Sequence, residues 1–160
     1  MQPLLGRAGW SADDVRDDLR AYVIEQCGAP QAVLVVDETG SLKQGRQRVG
    51  VARQYSGTAG RVANCPSGVF LVYATAHGRT LLARELSLPK EWAADETRRK
   101  AAGVPTEVRF ATKPQLAQRR LRRVLAAGLP FGWLTGDPVY GTDWRVRAWR
   151  EEHRINYVLG

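Results

Sequence analysis

The order of the sequence patterns predicts an α/β fold with a mixed β-sheet. Two apolar segments, residues 32–37 and 131–137, each end in an aspartate and have the continuous apolar character of buried strands. An antiparallel hairpin is predicted between strands over 69–74 and 81–86, with its turn at Gly78. The sheet is expected to be mixed because this hairpin is combined with strand–helix–strand crossovers.

Capping residues and apolar spacing predict helices around these strands. Ser11, followed by Asp13 and Asp14, indicates the start of a capped amphipathic helix. A second long helix has Pro114 in its first turn and Gly128 at its end. The predicted helices cover residues 12–26, 95–102, 112–127 and 143–152, and a last strand covers 155–159.

The composition indicates a folded, basic protein. Of its 160 residues, 44% are hydrophobic and 25% are charged, which is typical of a globular domain. The 24 Lys and Arg residues outnumber the 16 Asp and Glu residues, which favours nucleic acid as a partner. No segment approaches the ~18 apolar residues of a membrane span, and Cys27 and Cys65 lack zinc-ligand or disulfide spacing. We therefore expect a cytoplasmic protein without membrane association.

Asp37 and Asp137 are the candidate metal ligands and catalytic residues. Each follows a predicted central strand, and neighbouring strands would bring both carboxylates to one edge of the sheet, where α/β folds bind ligands. Two hard oxygen ligands suit Mg²⁺ or Mn²⁺, and substrate phosphates can complete the coordination. The alternative is that each aspartate caps the turn or helix after its strand. Glu151 and Glu152 fall in a predicted helix, and we do not assign them to the metal.

A basic connection follows Asp37 and is the candidate DNA-binding segment. Residues 38–66 are rich in Gly, Arg, Gln and Ser and are interpreted as a long functional loop with one short strand near 49–55. Five basic residues there could bind DNA phosphates: Lys43, Arg46, Arg48, Arg53 and Arg61. A solvated basic loop without a ligand is the alternative.

Other polar and aromatic residues are interpreted as structural. His77 and His153 lack partners for general-base chemistry and are expected on the surface. Four tryptophans are expected to pack in the core: Trp92, Trp133, Trp144 and Trp149. The outer face of the helix over 112–127 is expected to be solvent-exposed and carries Arg119, Arg120, Arg122 and Arg123.

Several sequence blocks resemble DDE-type transposases of bacterial insertion sequences, of the kind common in actinobacteria. They are Val-Val-Asp-Glu-Thr-Gly-Ser-Leu-Lys (35–43), Arg-Gln-Tyr-Ser-Gly-Thr-Ala-Gly-Arg-Val-Ala-Asn-Cys (53–65) and Phe-Ala-Thr-Lys-Pro (110–114). Their order and spacing also match, and the resemblance spans nearly the whole chain. It implies a ribonuclease-H-like fold with Asp37 on the first strand and Asp137 after the fourth, as the first two catalytic acids.

The resemblance also implies the chemistry and the partners. In that family the acids hold two Mg²⁺ or Mn²⁺ ions for endonucleolytic cleavage and strand transfer on DNA, at the transposon ends and the target. A second copy of the chain or a full-length transposase is a further expected partner. Residues 1–30 would form an amino-terminal helix and lead-in, and residues 31–160 a partial ribonuclease-H-like catalytic domain, incomplete at the carboxyl end.

The sequence departs from the family pattern in two places. The block at the second acid, usually Asp-Glu-x-Tyr-Gly, has Pro138 in place of the glutamate. The third acid of the family follows the fifth strand and an inserted region, and would lie after Gly160, so we expect this chain alone to be inactive. Two other hypotheses are a catalytically dead remnant that binds DNA non-specifically, and a self-contained ribonuclease-H-like nuclease.

Overall fold

Seven strands and six helices occupy the described part of the chain. A computed structural model describes residue 9, residues 11–43, residue 45 and residues 48–159. The strands are β1 (Val33–Gly40), β2 (Ala52–Ser56), β3 (Arg61–Cys65), β4 (Ser67–Thr75), β5 (Gly78–Ser87), β6 (Trp133–Gly136) and β7 (Asn156–Leu159). The helices are α1 (Ala12–Cys27), α2 (Lys90–Ala94), α3 (Glu96–Ala101), α4 (Lys113–Ala126), α5 (Pro138–Gly141) and α6 (Trp144–Glu152).

The main sheet has five strands in the order β5-β4-β1-β6-β7. The central strand β1 pairs antiparallel with β4 and parallel with β6, and β6 pairs parallel with β7. The predicted mixed α/β sheet with an antiparallel hairpin and flanking helices is therefore confirmed. The ribonuclease-H-like fold class expected from the resemblance agrees with this topology. Counted along the chain, β1 is the first strand of the five-stranded sheet and β6 is the fourth.

The hydrophobic core lies on one face of this sheet. Leu34 and Val36 of β1 are buried there in one cluster with Leu121 and Val124 of α4, a helix that packs mainly on β4 and β5. Helix α4 begins with a capping box, in which Thr112 and Gln115 each accept a hydrogen bond from the other's backbone N–H. Lys113, the first residue of this helix, forms an ion pair with Glu38 of β1.

The segments that lead into β1 and β6 are joined at the opposite end of the sheet. The buried Tyr73 hydroxyl donates a hydrogen bond to the carbonyl of Pro130 (2.7 Å) and accepts one from the backbone N–H of Ala29 (2.8 Å). Since Ala29 precedes β1 and Pro130 precedes β6, this one side chain helps to set the relative register of the two strands that lead to the aspartates.

Some sequence expectations were wrong in detail. Helix α1 is present, but Leu19 and Tyr22, expected on its apolar face, are 60% and 61% exposed because the helix contacts mainly the β5 edge of the sheet. Trp92 and Trp149 are buried as expected, whereas Trp133 (48% exposed) and Trp144 (63% exposed) are not core residues. Trp133 lies on the sheet face away from the core, in register with Val33.

Helix α2 was not predicted at all, because five residues are too few for a clear apolar period. His77 and His153 are exposed, as predicted.

Candidate active site

Asp37 lies inside β1 rather than at its end. The strand was expected to stop at this residue, but it continues to Gly40 because β4 supplies pairing partners down to Ser67. The side chain of Asp37 is exposed, and its Oδ1 accepts a hydrogen bond from the backbone N–H of Glu38 (2.7 Å). Because the residue is exposed, its carboxylate is accessible to a ligand.

Asp137 directly follows β6, the parallel neighbour of β1. Gly136 is the register partner of Val36, so continuing both strands by one residue sets Asp137 beside Asp37. A Cβ on Gly136 would lie 2.7 Å from the carbonyl oxygen of Val36, so glycine permits the close approach of the strands at this point. Asp137 is exposed and, although it precedes α5, its side chain makes no capping hydrogen bond. The capping alternative is not supported for this residue.

A buried tyrosine and a lysine meet at the residue after Asp37. The Tyr140 hydroxyl donates a hydrogen bond to Oε2 of Glu38 (3.1 Å), while the Lys113 ammonium forms an ion pair with Oε1 of the same carboxylate. Tyr140 is 2% exposed, and the side chains of Lys113 and Glu38 are 29% and 27% exposed. This cluster, which we call the Glu38 cluster, connects β1 with α4 and α5 directly beside the two aspartates.

The electrostatics of Tyr140 report on the carboxylates around it. Burial is the largest cause that raises the pKa of Tyr140 above its ordinary value, followed by the negative charge and hydrogen bond of Glu38. Asp37 and Asp137 each raise the pKa of Tyr140 further. Both aspartates therefore act electrostatically on one hydroxyl, as expected if they converge at one edge of the sheet.

Sequence reasoning did not identify the Glu38 cluster. Glu38, Lys113 and Tyr140 were each present in a block already noted for its chemistry or its resemblance: Asp-Glu-Thr-Gly, Ala-Thr-Lys-Pro and Asp-Pro-Val-Tyr-Gly. The only sign of the cluster in the sequence was that each of these three blocks contains a polar residue. The contacts among them depend on how α4 and α5 dock, which no local pattern encodes.

The basic connection after Asp37 contains a hairpin of two paired strands, where one short strand near 49–55 was expected. Strands β2 and β3 pair antiparallel around a short 3-10 turn at Gly57–Ala59, and Gly60 adopts a left-handed φ of +62° at the end of that turn. Because the apolar residues of this segment are few, alternation did not show the second strand, β3. We call β2, the turn and β3 the basic hairpin.

The predicted DNA-binding residues lie on and near the basic hairpin. Arg53 is on β2 and Arg61 begins β3, and both are exposed. Arg48 is exposed before β2, and the backbone N–H of Lys43 donates to the carbonyl of Asn64 (2.9 Å), which keeps Lys43 beside β3. Arg46 lies outside the described residues. The structure thus groups four of the five predicted residues around one element.

The arginine face of α4 is not a plain solvent face. Arg120 pairs with Glu85 of β5 (2.5 Å), Arg123 pairs with Asp17 of α1 (3.3 Å), and Arg119 approaches Glu85 at 3.8 Å. The guanidinium of Arg122 lies 5.2 Å from the ring centre of Trp149. Arg120 and Arg123 connect α4 to β5 and α1, which was not expected, whereas Arg119 and Arg122 are exposed, as the sequence interpretation of that face predicted.

The described ranges contain no group of three or more His, Cys, Asp or Glu residues arranged to hold a metal ion. Within the same ranges, none of the helices combines the length and apolar character needed to cross a membrane.

The mixed sheet carries Asp37 within β1 and Asp137 directly after the neighbouring strand β6, and comparison with known sequences gives the class of protein to which this arrangement belongs. The family model described as DDE superfamily endonuclease matches residues 1–160, and the chain belongs to that family. The chain is 26% identical over 152 residues to the probable transposase for insertion sequence element IS701 of Microchaete diplosiphon. The match covers 94% of this chain and 37% of that protein, so the chain spans just over a third of the relative's length. No solved structure matches the chain.

Proposed function

We propose that this chain supplies the first two acids of a DNA transposase active site, Asp37 and Asp137. The observation that carries the proposal is the parallel pairing of β1 with β6, which supports neighbouring positions for Asp37 within β1 and Asp137 directly after β6. Membership of the DDE superfamily endonucleases and the similarity to a probable transposase support a role in DNA transposition. The substrate proposed is DNA at the ends of a mobile element and at its target.

The donor chemistry of the site fits a divalent cation. Asp37 and Asp137 are exposed carboxylates, and hard oxygen ligands of this kind suit Mg²⁺ or Mn²⁺. Bound ions of this type would activate a water or terminal hydroxyl and stabilise the leaving oxygen of an in-line displacement at phosphorus. The aspartates would hold two such ions together with further ligands, and we expect the two carboxylates to lie about 4–8 Å apart.

The other residues would hold the aspartates and the substrate in place. The Glu38 carboxylate is engaged by Lys113 and Tyr140, so we assign it to positioning rather than to metal binding. The basic hairpin would bind the phosphates of the DNA strand that approaches the aspartates. In this proposal residues 31–160 form part of a ribonuclease-H-like catalytic domain, and residues 1–30 form an amino-terminal helix and lead-in.

Manganese binding tests the proposed site directly. Two carboxylates bind such an ion loosely, so we expect weak binding by titration calorimetry or electron paramagnetic resonance. Asp37→Asn and Asp137→Asn should each abolish it, while Asp18→Asn, an exposed aspartate of α1, should leave it unchanged. Equal binding by all three variants would exclude the site.

Plasmid nicking in Mn²⁺ tests the proposed low activity of the isolated chain. We expect little or no nicking, because two carboxylates are a weak anchor for a pair of ions on either side of a phosphorus. Efficient nicking that both Asp37→Asn and Asp137→Asn abolish would instead favour a self-contained nuclease.

A further inference from the structure

The outer face of the basic hairpin carries an exposed aromatic and aliphatic pair. Tyr55 of β2 and Val62 of β3 are direct register partners. Tyr55 is 67% exposed and Val62 is 50% exposed. Arg53 and Asn64, the next register pair on the same face, extend this surface with a guanidinium and an amide. A flat ring in solvent, backed by a β-branched side chain, offers a platform for a planar ligand.

The inner face of the hairpin accounts for its folding. Ser56 and Cys65 are 1% and 0% exposed, and they pack against Gly40 at the end of β1. A Cβ on Gly40 would lie 3.1 Å from the Cys65 sulfur, so the hairpin sits tightly on the strand that bears Asp37. These contacts attach the hairpin through one face, and Tyr55 and Val62 lie on the other, exposed face.

The charge of the hairpin region fits a polyanion. Residues 41–66 contain one lysine and four arginines and no aspartate or glutamate. In the whole chain acidic residues number 16 against 24 basic ones, so this segment is more strongly basic than the rest. A strand of nucleic acid has both features that this surface matches, namely regularly spaced phosphates and planar bases.

The hairpin turn lies close to the proposed active site. The hydroxyls of Thr58 in the turn and Thr39 in β1 are 3.4 Å apart, and Thr39 is the second residue after Asp37. A strand bound along the hairpin would therefore run beside the carboxylates.

We propose that the outer face of the basic hairpin binds an unpaired nucleobase of the DNA strand, which stacks on Tyr55 while Arg53, two residues away on the same face, contacts the adjacent phosphate. This inference rests on the proposed function and adds a preference for DNA that is unpaired near the aspartates. A base held inside a duplex already stacks on its neighbours and does not offer its face to a side chain, whereas an unpaired base does.

The test is binding of the chain to a single-stranded oligonucleotide and to a duplex of the same length, followed by fluorescence anisotropy. Tyr55→Ala should weaken single-strand binding roughly tenfold, the size expected for one base–aromatic stack, and leave duplex binding nearly unchanged. Tyr55→Phe should retain wild-type affinity for both, because the ring is kept. Tyr22→Ala, which removes an equally exposed tyrosine from α1, is the matched control. A single 2-aminopurine in the oligonucleotide should be quenched by the wild type and not by Tyr55→Ala.

The outcomes separate this inference from the proposed function. If Tyr55→Ala affects both DNAs equally or neither, base stacking on the hairpin is excluded, while weaker binding to both DNAs in Arg53→Ala would still support phosphate contacts. If the wild type binds neither DNA, the hairpin has no nucleic-acid role, and manganese binding by Asp37 and Asp137 still decides the active site independently. Thermal melting of each variant identifies any loss of folding.

Discussion

The Tyr140 hydroxyl and the Glu38 carboxylate form a hydrogen bond of 3.1 Å that joins α5 to β1 immediately beside the two aspartates. Tyr140 is three residues after Asp137, and Glu38 follows Asp37. The bond therefore restrains the two segments whose relative position sets the separation of the aspartates. Lys113 brings α4 to the same carboxylate, so three elements converge at one side chain.

The first prediction is that Tyr140→Phe destabilises the fold. The substitution keeps the buried ring and removes one partly buried hydrogen bond to a charged group, which should lower the free energy of unfolding by about 1.5–3 kcal/mol. Urea unfolding measures this. Tyr22→Phe, at a 61% exposed position, should change stability by less than about 0.5 kcal/mol. If Tyr140→Phe had the same free energy of unfolding as the wild type, the hydrogen bond would make no net contribution to stability.

The pH dependence of the same variant gives the second prediction. Burial, and then Glu38, raise the pKa of Tyr140 above its ordinary value of about 10. A raised folded-state pKa means that Tyr140 contributes its full stability below pH ~10, and that this contribution declines as the pH rises further because the unfolded state ionises first. The stability advantage of the wild type over Tyr140→Phe should therefore shrink above pH ~10. If the difference in free energy of unfolding between the wild type and Tyr140→Phe stayed constant from pH 8 to pH 11, the pKa of Tyr140 would not be raised by folding.

Coupling between Glu38 and Lys113 is the third prediction. A double-mutant cycle with Glu38→Gln and Lys113→Met should give an interaction energy between about 0.5 and 3 kcal/mol, because the two side chains are in direct contact and partly buried. The same cycle for Arg119 and Glu85, whose charged atoms are 3.8 Å apart and in which Arg119 is 52% exposed, should give less than about 1 kcal/mol. Equal interaction energies in both cycles would mean that burial does not strengthen the ion pair of Glu38 and Lys113.

How far the sequence predicts this molecule depends on which interactions are local. The strands at Leu34, Val69 and Leu134 were predictable because continuous apolar runs are encoded within a few residues. The start of α4 was predictable for the same reason, since Thr112 and Pro114 act within one turn. Asp37 and Asp137 could be paired from sequence only by assuming that their strands are neighbours, which the parallel register then confirmed.

The features that escaped prediction depend on tertiary contacts. The basic hairpin has an inner face of small residues, Ser56 and Cys65, which pack on Gly40, and such contacts produce no hydrophobic alternation. Likewise, the sequence predicts Arg120 as a surface residue, because its partner Glu85 belongs to another element, β5. The Glu38 cluster is the same case at the candidate site.

The fourth prediction concerns the close approach of β6 to β1. Gly136→Ala would place a methyl group 2.7 Å from the Val36 carbonyl oxygen, so the strands must separate. We expect a loss of about 1–3 kcal/mol of stability and weaker manganese binding than the wild type, because Asp137 is the next residue. Gly57→Ala, where a Cβ meets nothing within 4 Å, is the control. If Gly136→Ala bound manganese with wild-type affinity, the spacing of β1 and β6 would not determine the position of the aspartates.

The last prediction is that DNA binding to the basic hairpin depends steeply on salt. Each phosphate that a Lys or Arg neutralises contributes about −0.9 to the slope of log affinity against log salt concentration on duplex DNA. Replacing Arg48, Arg53 and Arg61, all exposed, with Ala should therefore make the slope less negative by about 2–3. The control removes the same charge elsewhere, at the exposed residues Arg79, Lys90 and Lys100, and should change the slope by less than about 1. Both variants carry the same net charge, so a general loss of attraction would flatten the two slopes equally. That result would mean that DNA is attracted by the overall positive charge of the protein. A larger change of slope in the hairpin variant would instead locate the phosphate contacts beside Asp37.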